Sequence, residues 1–140
     1  MVRANFGIKA RLERRLMYEV SVDESFAAAH NLRNYKGKCE DLHGHNYKVR
    51  VVLAGEKLDR TGLLYDFVHL KQVIRSVINS LDHKYLNELS PFDQLNPSAE
   101  NIARHIYDET SKQLRTEPNG AAVASITVWE SDVTAATYRP

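Results

Sequence analysis

The spacing of hydrophobic residues changes twice along the chain, and this succession constrains the fold more than any other feature of the sequence. Apolar and polar residues alternate from Met17 to Ala29 and from Asn46 to Ala54, a pattern that is typical of half-buried strands. The alternation returns from Val123 to Glu130 and again from Thr134 to Tyr138. The sequence therefore predicts one pair of strands in each half of the chain.

Between the two strand pairs, apolar residues recur every three or four positions. One such stripe runs from Phe67 to Leu81, with Asp66 as a candidate N-cap. A second stripe runs from Ile102 to Leu114, with Asn96 or Ser98 as its cap. The order ββααββ indicates an α+β fold, in which an antiparallel four-stranded sheet carries both helices on one face.

Length and charge limit the domain organisation and the partners. The chain of 140 residues suits a single domain, which we assign to residues 17–140. Residues 1–16 hold five basic side chains and one acidic side chain, and we expect them to form a mobile basic extension. An arm that binds a partner is the alternative. The net charge of +1 argues against a broad basic face for nucleic acid.

The single cysteine limits the compartment in which the protein works. One cysteine cannot form an intramolecular disulfide, so a reducing environment fits the chain better than a secreted, disulfide-stapled scaffold. No run of residues approaches the roughly 18 apolar positions of a membrane span. We therefore expect a cytoplasmic protein that binds neither membranes nor nucleic acid.

Three histidines form a candidate metal site. His43 and His45 flank a glycine at the start of the second predicted strand, and residues two apart in a strand share a face. His30 ends the first strand, so strand pairing could bring it opposite them. Three imidazoles with an open position describe a catalytic zinc site, although iron and nickel also accept imidazole. The alternative is a set of separate surface or packing histidines, as we interpret His69 and His105 within the helices.

Four further residues could carry acid–base chemistry. Cys39 lies beside two lysines that would favour its thiolate, or it is a small buried residue. Asp82 could orient the ring of His83 if the backbone bends there, or the two could be a turn acceptor and a solvated cation near a helix end. Glu130 ends the third predicted strand, where a carboxylate could accept paired N–H donors from a flat heterocycle or remain a solvated charge.

These residues together resemble the signature of a known family. The segment from Cys39 to His45 matches the Cys-x-x-x-His-Gly-His pattern of the 6-pyruvoyltetrahydropterin synthase and 6-carboxytetrahydropterin synthase family. Further matches follow in family order: Ser25-Phe-Ala-Ala-Ala-His30, Leu81-Asp-His-Lys-Tyr-Leu-Asn87, Asn96-Pro-Ser-Ala-Glu100 and Val128-Trp-Glu130. The resemblance covers residues 17–140, and matches in order are far more specific than any single one.

The resemblance implies a fold, an assembly and a cofactor. The fold would be the T-fold, or tunnelling fold, whose order is also ββααββ. The assembly would be a homohexamer of two trimers with active sites between subunits. Zinc would be held by His30, His43 and His45, and the substrate would be a small molecule, 7,8-dihydroneopterin triphosphate.

The resemblance also implies roles for the remaining site residues. Cys39 would be the proton-abstracting base, and His83, supported by Asp82, would be the partner acid/base. Glu130 would anchor the pterin ring through its N–H edge. Ser98 would supply a substrate-binding hydroxyl, whereas the alanine after it lacks the second hydroxyl that family members often carry.

Within the family, the short body of this chain looks most like the enzymes that form 6-carboxy-5,6,7,8-tetrahydropterin. These zinc-dependent lyases also release acetaldehyde and triphosphate, on the route to queuosine and other deazapurines. One alternative is the branch that makes 6-pyruvoyltetrahydropterin without side-chain cleavage, and another is a noncatalytic module that binds zinc and pterin. A third enzyme branch has glutamate in place of the signature cysteine, and Cys39 argues against it.

Overall fold

The computed structural model describes residues 17–37 and 40–140. In chain order its elements are β1 (Tyr18–His30), β2 (His43–Gly55), α1 (Phe67–Asn79), β3 (Lys84–Tyr85), α2 (Ala99–Gln113), β4 (Ala122–Ser131) and β5 (Thr134–Tyr138), with a short 3₁₀ helix at Leu86–Glu88. The predicted extension 1–16 and Cys39 lie outside the described residues, so what the sequence predicts for them stays a prediction.

The strands form one five-stranded sheet in the order β3-β1-β2-β4-β5. The four predicted strands are antiparallel to their neighbours, whereas β3 pairs in parallel with β1 at Ala28 and Ala29. The α+β fold with the order ββααββ is confirmed, but the prediction of a wholly antiparallel, four-stranded sheet is wrong by this one strand. Two residues are too few to show a hydrophobic period, so β3 left no pattern in the sequence.

The pairing of β1 with β2 is longer than the sequence indicates. The two strands pair from Tyr18 opposite Gly55 to His30 opposite His43. The hydrophobic alternation marks β2 only from Asn46, whereas the strand begins at His43, in agreement with the placement of the His-Gly-His segment at the strand start. The His-Gly-His segment has no apolar residues to alternate, although its backbone continues the ladder. As a result, all three candidate metal ligands lie on paired strands.

Both helices cover one face of the sheet, as predicted. α1 packs against β1, α2 packs against β4 and β5, and the two helices contact each other. Alternate residues of β1 and β2 enter the shared core, where the rings of Phe26 and Tyr47 stack with centroids 4.9 Å apart. The residues between them lie on the opposite face, where Arg50 donates to both carboxylate oxygens of Asp23 at 2.7 and 2.9 Å. Burial of the apolar face is the dominant favourable term in such a fold.

Side chains cap the first turn of both helices. Oδ1 of Asp66 accepts a hydrogen bond from the N–H of Val68 at 2.8 Å, which confirms the predicted cap of α1. The sequence left Asn96 and Ser98 open for α2, and the cap is Ser98, whose Oγ accepts from the N–H of Asn101 at 3.2 Å. Within the described ranges, no helix is long and apolar enough to cross a membrane.

Loss of the α1 cap should destabilise the protein. We expect Asp66→Ala to lower the free energy of unfolding by about 1 kcal/mol, because the N–H of Val68 loses its acceptor. Urea unfolding followed by circular dichroism measures the change. Asp93→Ala is the control, since Asp93 is exposed and its carboxylate makes no hydrogen bond with the rest of the described chain. Equal destabilisation of both variants would contradict the capping role.

Candidate metal centre and active site

Three histidine rings meet where β1 ends and β2 begins. The register pairs His30 with His43, and their Nε2 atoms lie 3.0 Å apart. His45 lies two residues along β2 on the same face, with its ring centroid 4.7 Å from that of His43 and 5.1 Å from that of His30. The structure therefore brings together the three residues that the sequence indicates as metal ligands.

Backbone carbonyl groups orient two of these rings. Nδ1 of His30 lies 2.7 Å from the carbonyl oxygen of Pro97, and Nδ1 of His43 lies 2.7 Å from that of Asp41. A carbonyl oxygen only accepts hydrogen bonds, so Nδ1 is the donor in each ring. In the neutral rings the two Nε2 atoms then direct lone pairs toward each other. A cation between them would stabilise this arrangement, which is the usual orientation of metal-binding imidazoles.

A carboxylate joins the histidine cluster. Oε1 of Glu130, near the end of β4, lies 2.9 Å from Nε2 of His45 and 3.9 Å from Nε2 of His30. One ligand atom from each of the four residues lies within 4.8 Å of the other three. Nε2 of His45 is buried and, despite the short contact, has no hydrogen bond of good geometry in the described part of the chain. It is therefore a buried nitrogen that a metal ion could satisfy.

The position of Glu130 beside the histidines could not be read from the sequence. The strand pattern placed this residue at a strand end and no more. The register explains its place: Trp129 of β4 pairs with Lys48 of β2, so Glu130 lies one residue beyond that pair, on the same face as His45 and diagonal to it. The pairing of strands that are distant in the chain leaves no signal in a single sequence.

Burial favours the neutral form of His30 and His45. His30 is 1% exposed, and this burial lowers its pKa, against the opposing effects of the Pro97 hydrogen bond and the Glu130 charge. Burial also lowers the pKa of His45, and the charge of Glu130 again opposes the shift. Desolvation disfavours imidazolium, so the ring nitrogens stay available as ligands. Neutral imidazoles with a carboxylate are a donor set that fits zinc.

Asp82 and His83 are fastened to β1. Oδ1 of Asp82 accepts from the N–H of Ala27 at 2.9 Å, and the N–H of His83 donates to the carbonyl oxygen of Ala27 at 2.6 Å. The bend required for the carboxylate to reach the ring is present as a φ of +57° at His83, and Nδ1 of His83 lies 3.0 Å from Oδ1 of Asp82. The hydrogen bond from Ala27 is the largest of the effects that lower the pKa of Asp82.

An open cavity of about 490 Å³ lies along β1 and β2, and His45 and His83 both line it. Its wall consists of residues 27–29 of β1, residues 44–46 of β2 and residues 83–85. The side chain of His83 is 82% exposed at this cavity. Within the described chain, Ser98 is not part of this wall and its hydroxyl caps α2. The position of Cys39 is outside the described residues.

Fold and site together place the protein among small α+β enzymes with a candidate metal centre. The particular family follows from comparison with known proteins. A family model described as 6-pyruvoyl tetrahydropterin synthase matches residues 19–140. The chain belongs to this family of pterin-synthesising enzymes, as its motifs indicated.

Named relatives and a solved structure agree with this membership. A 6-carboxy-5,6,7,8-tetrahydropterin synthase of Bacillus subtilis is 33% identical over 128 residues, covering 88% of this chain and 86% of that protein. A dihydroneopterin monophosphate aldolase of Pyrococcus furiosus is 33% identical over 121 residues, covering 86% and 93%. The structure of Caenorhabditis elegans 6-pyruvoyl tetrahydropterin synthase matches with a TM-score of 0.79 at 27% identity, over 91% of this chain and 98% of that chain. The predicted T-fold is confirmed.

Removal of one imidazole should weaken metal binding. We expect the unchanged protein to bind zinc, and His45→Ala to bind it roughly 100-fold more weakly or worse, since even outer-shell partners of zinc ligands are worth about 10–100-fold. Competition with a chromophoric chelator measures both affinities. His105→Ala is the matched control, because that ring packs on Phe92 at 5.2 Å between centroids, outside the cluster. Equal affinities in the two variants would remove His45 from the site.

Proposed function

We propose that this protein is a zinc-dependent 6-carboxy-5,6,7,8-tetrahydropterin synthase. The observation that carries the proposal is the cluster of His30, His43, His45 and Glu130, one member of which, His45, lines the same cavity as His83. Family membership and the name of the Bacillus subtilis relative support the substrate and product. In this lyase reaction, 7,8-dihydroneopterin triphosphate and water yield the 6-carboxy product, acetaldehyde and triphosphate, on the route to queuosine and other deazapurines.

The donor set supports zinc as the resident metal. His30, His43 and His45 are the proposed ligands, and three protein ligands with one open position are typical of catalytic zinc sites. Zinc bound in such a site supplies Lewis-acid polarisation of substrate oxygens. Glu130 has two proposed roles. Its contact of 2.9 Å with His45 favours a carboxylate that acts at the metal centre, whereas the family resemblance favours an acceptor for the N–H edge of the pterin.

His83 is the residue that we propose to exchange protons with the substrate in the cavity. Its Nδ1 lies 3.0 Å from the Asp82 carboxylate, so the proposal makes Nε2 the atom that takes up or releases the proton. Because the N–H of Ala27 lowers the pKa of Asp82, this carboxyl group stays ionised and holds the ring in one tautomer. The same charge stabilises the imidazolium once Nε2 is protonated. Cys39 is the proposed base on the opposite side of the transfer, on the strength of the signature motif alone.

Assembly and location form part of the same proposal. The family resemblance implies a homohexamer built as a dimer of trimers, and the single cysteine supports a reducing compartment such as the cytoplasm. Two features support self-association: β3 and β5 leave the two edges of the sheet unpaired in the described chain, and His83 projects from the subunit at the cavity. A neighbouring subunit would cover both. Ser98 is a proposed substrate-binding residue, since its hydroxyl can donate a hydrogen bond while its oxygen caps α2.

The product profile tests the proposed reaction. Purified, zinc-loaded protein is incubated with 7,8-dihydroneopterin triphosphate, while mass spectrometry follows the pterin and a coupled assay follows acetaldehyde. We expect the 6-carboxy product and an equal amount of acetaldehyde. A pyruvoyl product without acetaldehyde would assign the chain to the other synthase branch. Turnover of the monophosphate in place of the triphosphate would assign it to the activity for which the Pyrococcus furiosus relative is named.

Variants of the proposed proton-transfer residues separate an enzyme from a binding module. We expect Cys39→Ala and His83→Ala to lower kcat about 10²–10⁴-fold, the usual contribution of general acid–base catalysis, while pterin binding is retained. His105→Ala is again the control and should keep the kcat of the unchanged protein. If the unchanged protein binds zinc and pterin but turns over no substrate, the noncatalytic module replaces the proposed enzyme.

A further inference from the structure

The segment that follows His30 lies against the loop that precedes α2. At this contact Nδ1 of His30 lies 2.7 Å from the carbonyl oxygen of Pro97, and the ring is 1% exposed. The hydrogen-bond partner of the non-ligating nitrogen sets both the tautomer and the orientation of a metal-binding imidazole. The position of the Pro97 carbonyl therefore determines whether Nε2 of His30 faces the cluster.

Two asparagine side chains bind this segment to the loop. Asn96 accepts from the N–H of Arg33 through Oδ1 and donates to the carbonyl oxygen of Arg33 through Nδ2, both at 2.9 Å. Asn87 makes the same pair of hydrogen bonds with the N–H and carbonyl oxygen of Asn31, at 3.0 and 2.9 Å. Each amide thus reproduces the two bonds that opposite residues of an antiparallel ladder exchange. Side chains in effect continue the edge of β1 beyond His30.

The side chain of Arg33 adds a further connection to the same loop. Its Nη2 donates to the carbonyl oxygens of Phe92 and Asn87 at 2.8 and 3.2 Å, and its Nη1 donates to that of Leu95 at 3.3 Å. A planar, charged guanidinium with several donors can bind several carbonyl groups of one loop at once. The backbone and the side chain of Arg33 are therefore both tied to the loop that carries Pro97.

Within this set, Asn96 is next in sequence to the carbonyl group that contacts His30. The backbone oxygen of Asn96 accepts from Nδ2 of Asn101 in the first turn of α2, at 2.9 Å. Ser98 caps that same turn. Pro97 is thus held between an anchored residue on one side and a helix cap on the other, and among the links to the segment after His30 the amide of Asn96 is the one adjacent to Pro97.

We propose that Asn96 is a positioning residue of the metal site, whose amide holds the Pro97 carbonyl against His30 and so directs Nε2 of His30 at the cluster. The inference rests on the proposed zinc site and adds to it a residue that is outside the cluster of ligands and outside the cavity wall. Helix capping does not account for Asn96, because Ser98 caps α2 while both polar groups of the Asn96 amide bind Arg33.

The zinc affinity of Asn96→Ala, compared with a matched control, tests this role. Asn119 likewise uses both polar groups of its amide, with Nδ2 donating to the carbonyl oxygen of Leu64 at 2.9 Å and Oδ1 accepting from the N–H of Ala121 at 3.2 Å. These two hydrogen bonds of Asn119 lie at the Gly55 end of β2, and the histidines lie at the opposite end. We expect Asn96→Ala to bind zinc about 10-fold more weakly in chelator competition, as loss of outer-shell support does. Asn119→Ala should keep the affinity of the unchanged protein.

A spectroscopic measurement separates positioning from general destabilisation. The visible d–d absorption of the Co²⁺-loaded protein reports the geometry of the ligands, so we expect it to change in Asn96→Ala and to stay the same in Asn119→Ala. Urea unfolding of the metal-free proteins should show both variants destabilised, since each loses two hydrogen bonds. Asn96→Asp keeps the acceptor for the N–H of Arg33 and loses the donor, and it takes the place of the alanine variant if that variant does not fold.

The possible outcomes separate the positioning role from the metal site itself. Unchanged zinc affinity and an unchanged Co²⁺ spectrum in Asn96→Ala, or in Asn96→Asp where that is the folded variant, would overturn the inference and leave the metal site intact. An equal loss of affinity in Asn119→Ala would also overturn it, because the effect would then be a general one. Failure of the unchanged protein to bind zinc would overturn the proposed zinc site and the inference with it.

Discussion

The pairing of His30 with His43 is the constraint on which the rest of the site depends. Two strands of 13 residues form an antiparallel ladder that ends in this pair. Because side chains alternate between the faces of a strand, a slip of one residue would turn every core side chain of that strand toward solvent. The apolar core therefore holds the register, and the register brings the imidazoles together. The candidate metal site is a consequence of hydrophobic packing along the whole hairpin.

A second requirement is that the imidazoles remain neutral and present the correct nitrogen. Burial lowers the pKa of His30 and of His45, which keeps their lone pairs available. The carbonyl groups of Pro97 and Asp41 hold the Nδ1 protons of His30 and His43 away from the centre. These contacts matter because an imidazole that presents its protonated nitrogen is not a ligand. The side-chain amides of Asn87 and Asn96 hold the loop before α2 against the segment that follows β1. Residues outside the cluster thereby contribute to the orientation of the His30 ring.

Structural features that depend on one contiguous segment of the chain were predictable from the sequence. Contacts between segments that are distant in the chain were not. The apolar stripe after Asp66 predicted both α1 and the residue that caps it. The short strand β3 gave no signal because two residues show no period, and the hydrophobic alternation of β2 did not extend over the His-Gly-His segment because that segment lacks apolar residues. Glu130 was recognisable as a carboxylate at a strand end, but its distance from His45 depends on the pairing of β2 with β4.

The sequence by itself determined the order of the elements, the family and the candidate ligands, because hydrophobic periods and short motifs are properties of contiguous residues. Only the tertiary structure decided that Glu130 joins the histidines, that Asp82 and His83 are fastened to Ala27, and that a proline carbonyl orients His30. These contacts join parts of the chain that are far apart in sequence. Their hydrogen bonds form only once the apolar core has set the strand register and packed the loop before α2 against the end of β1.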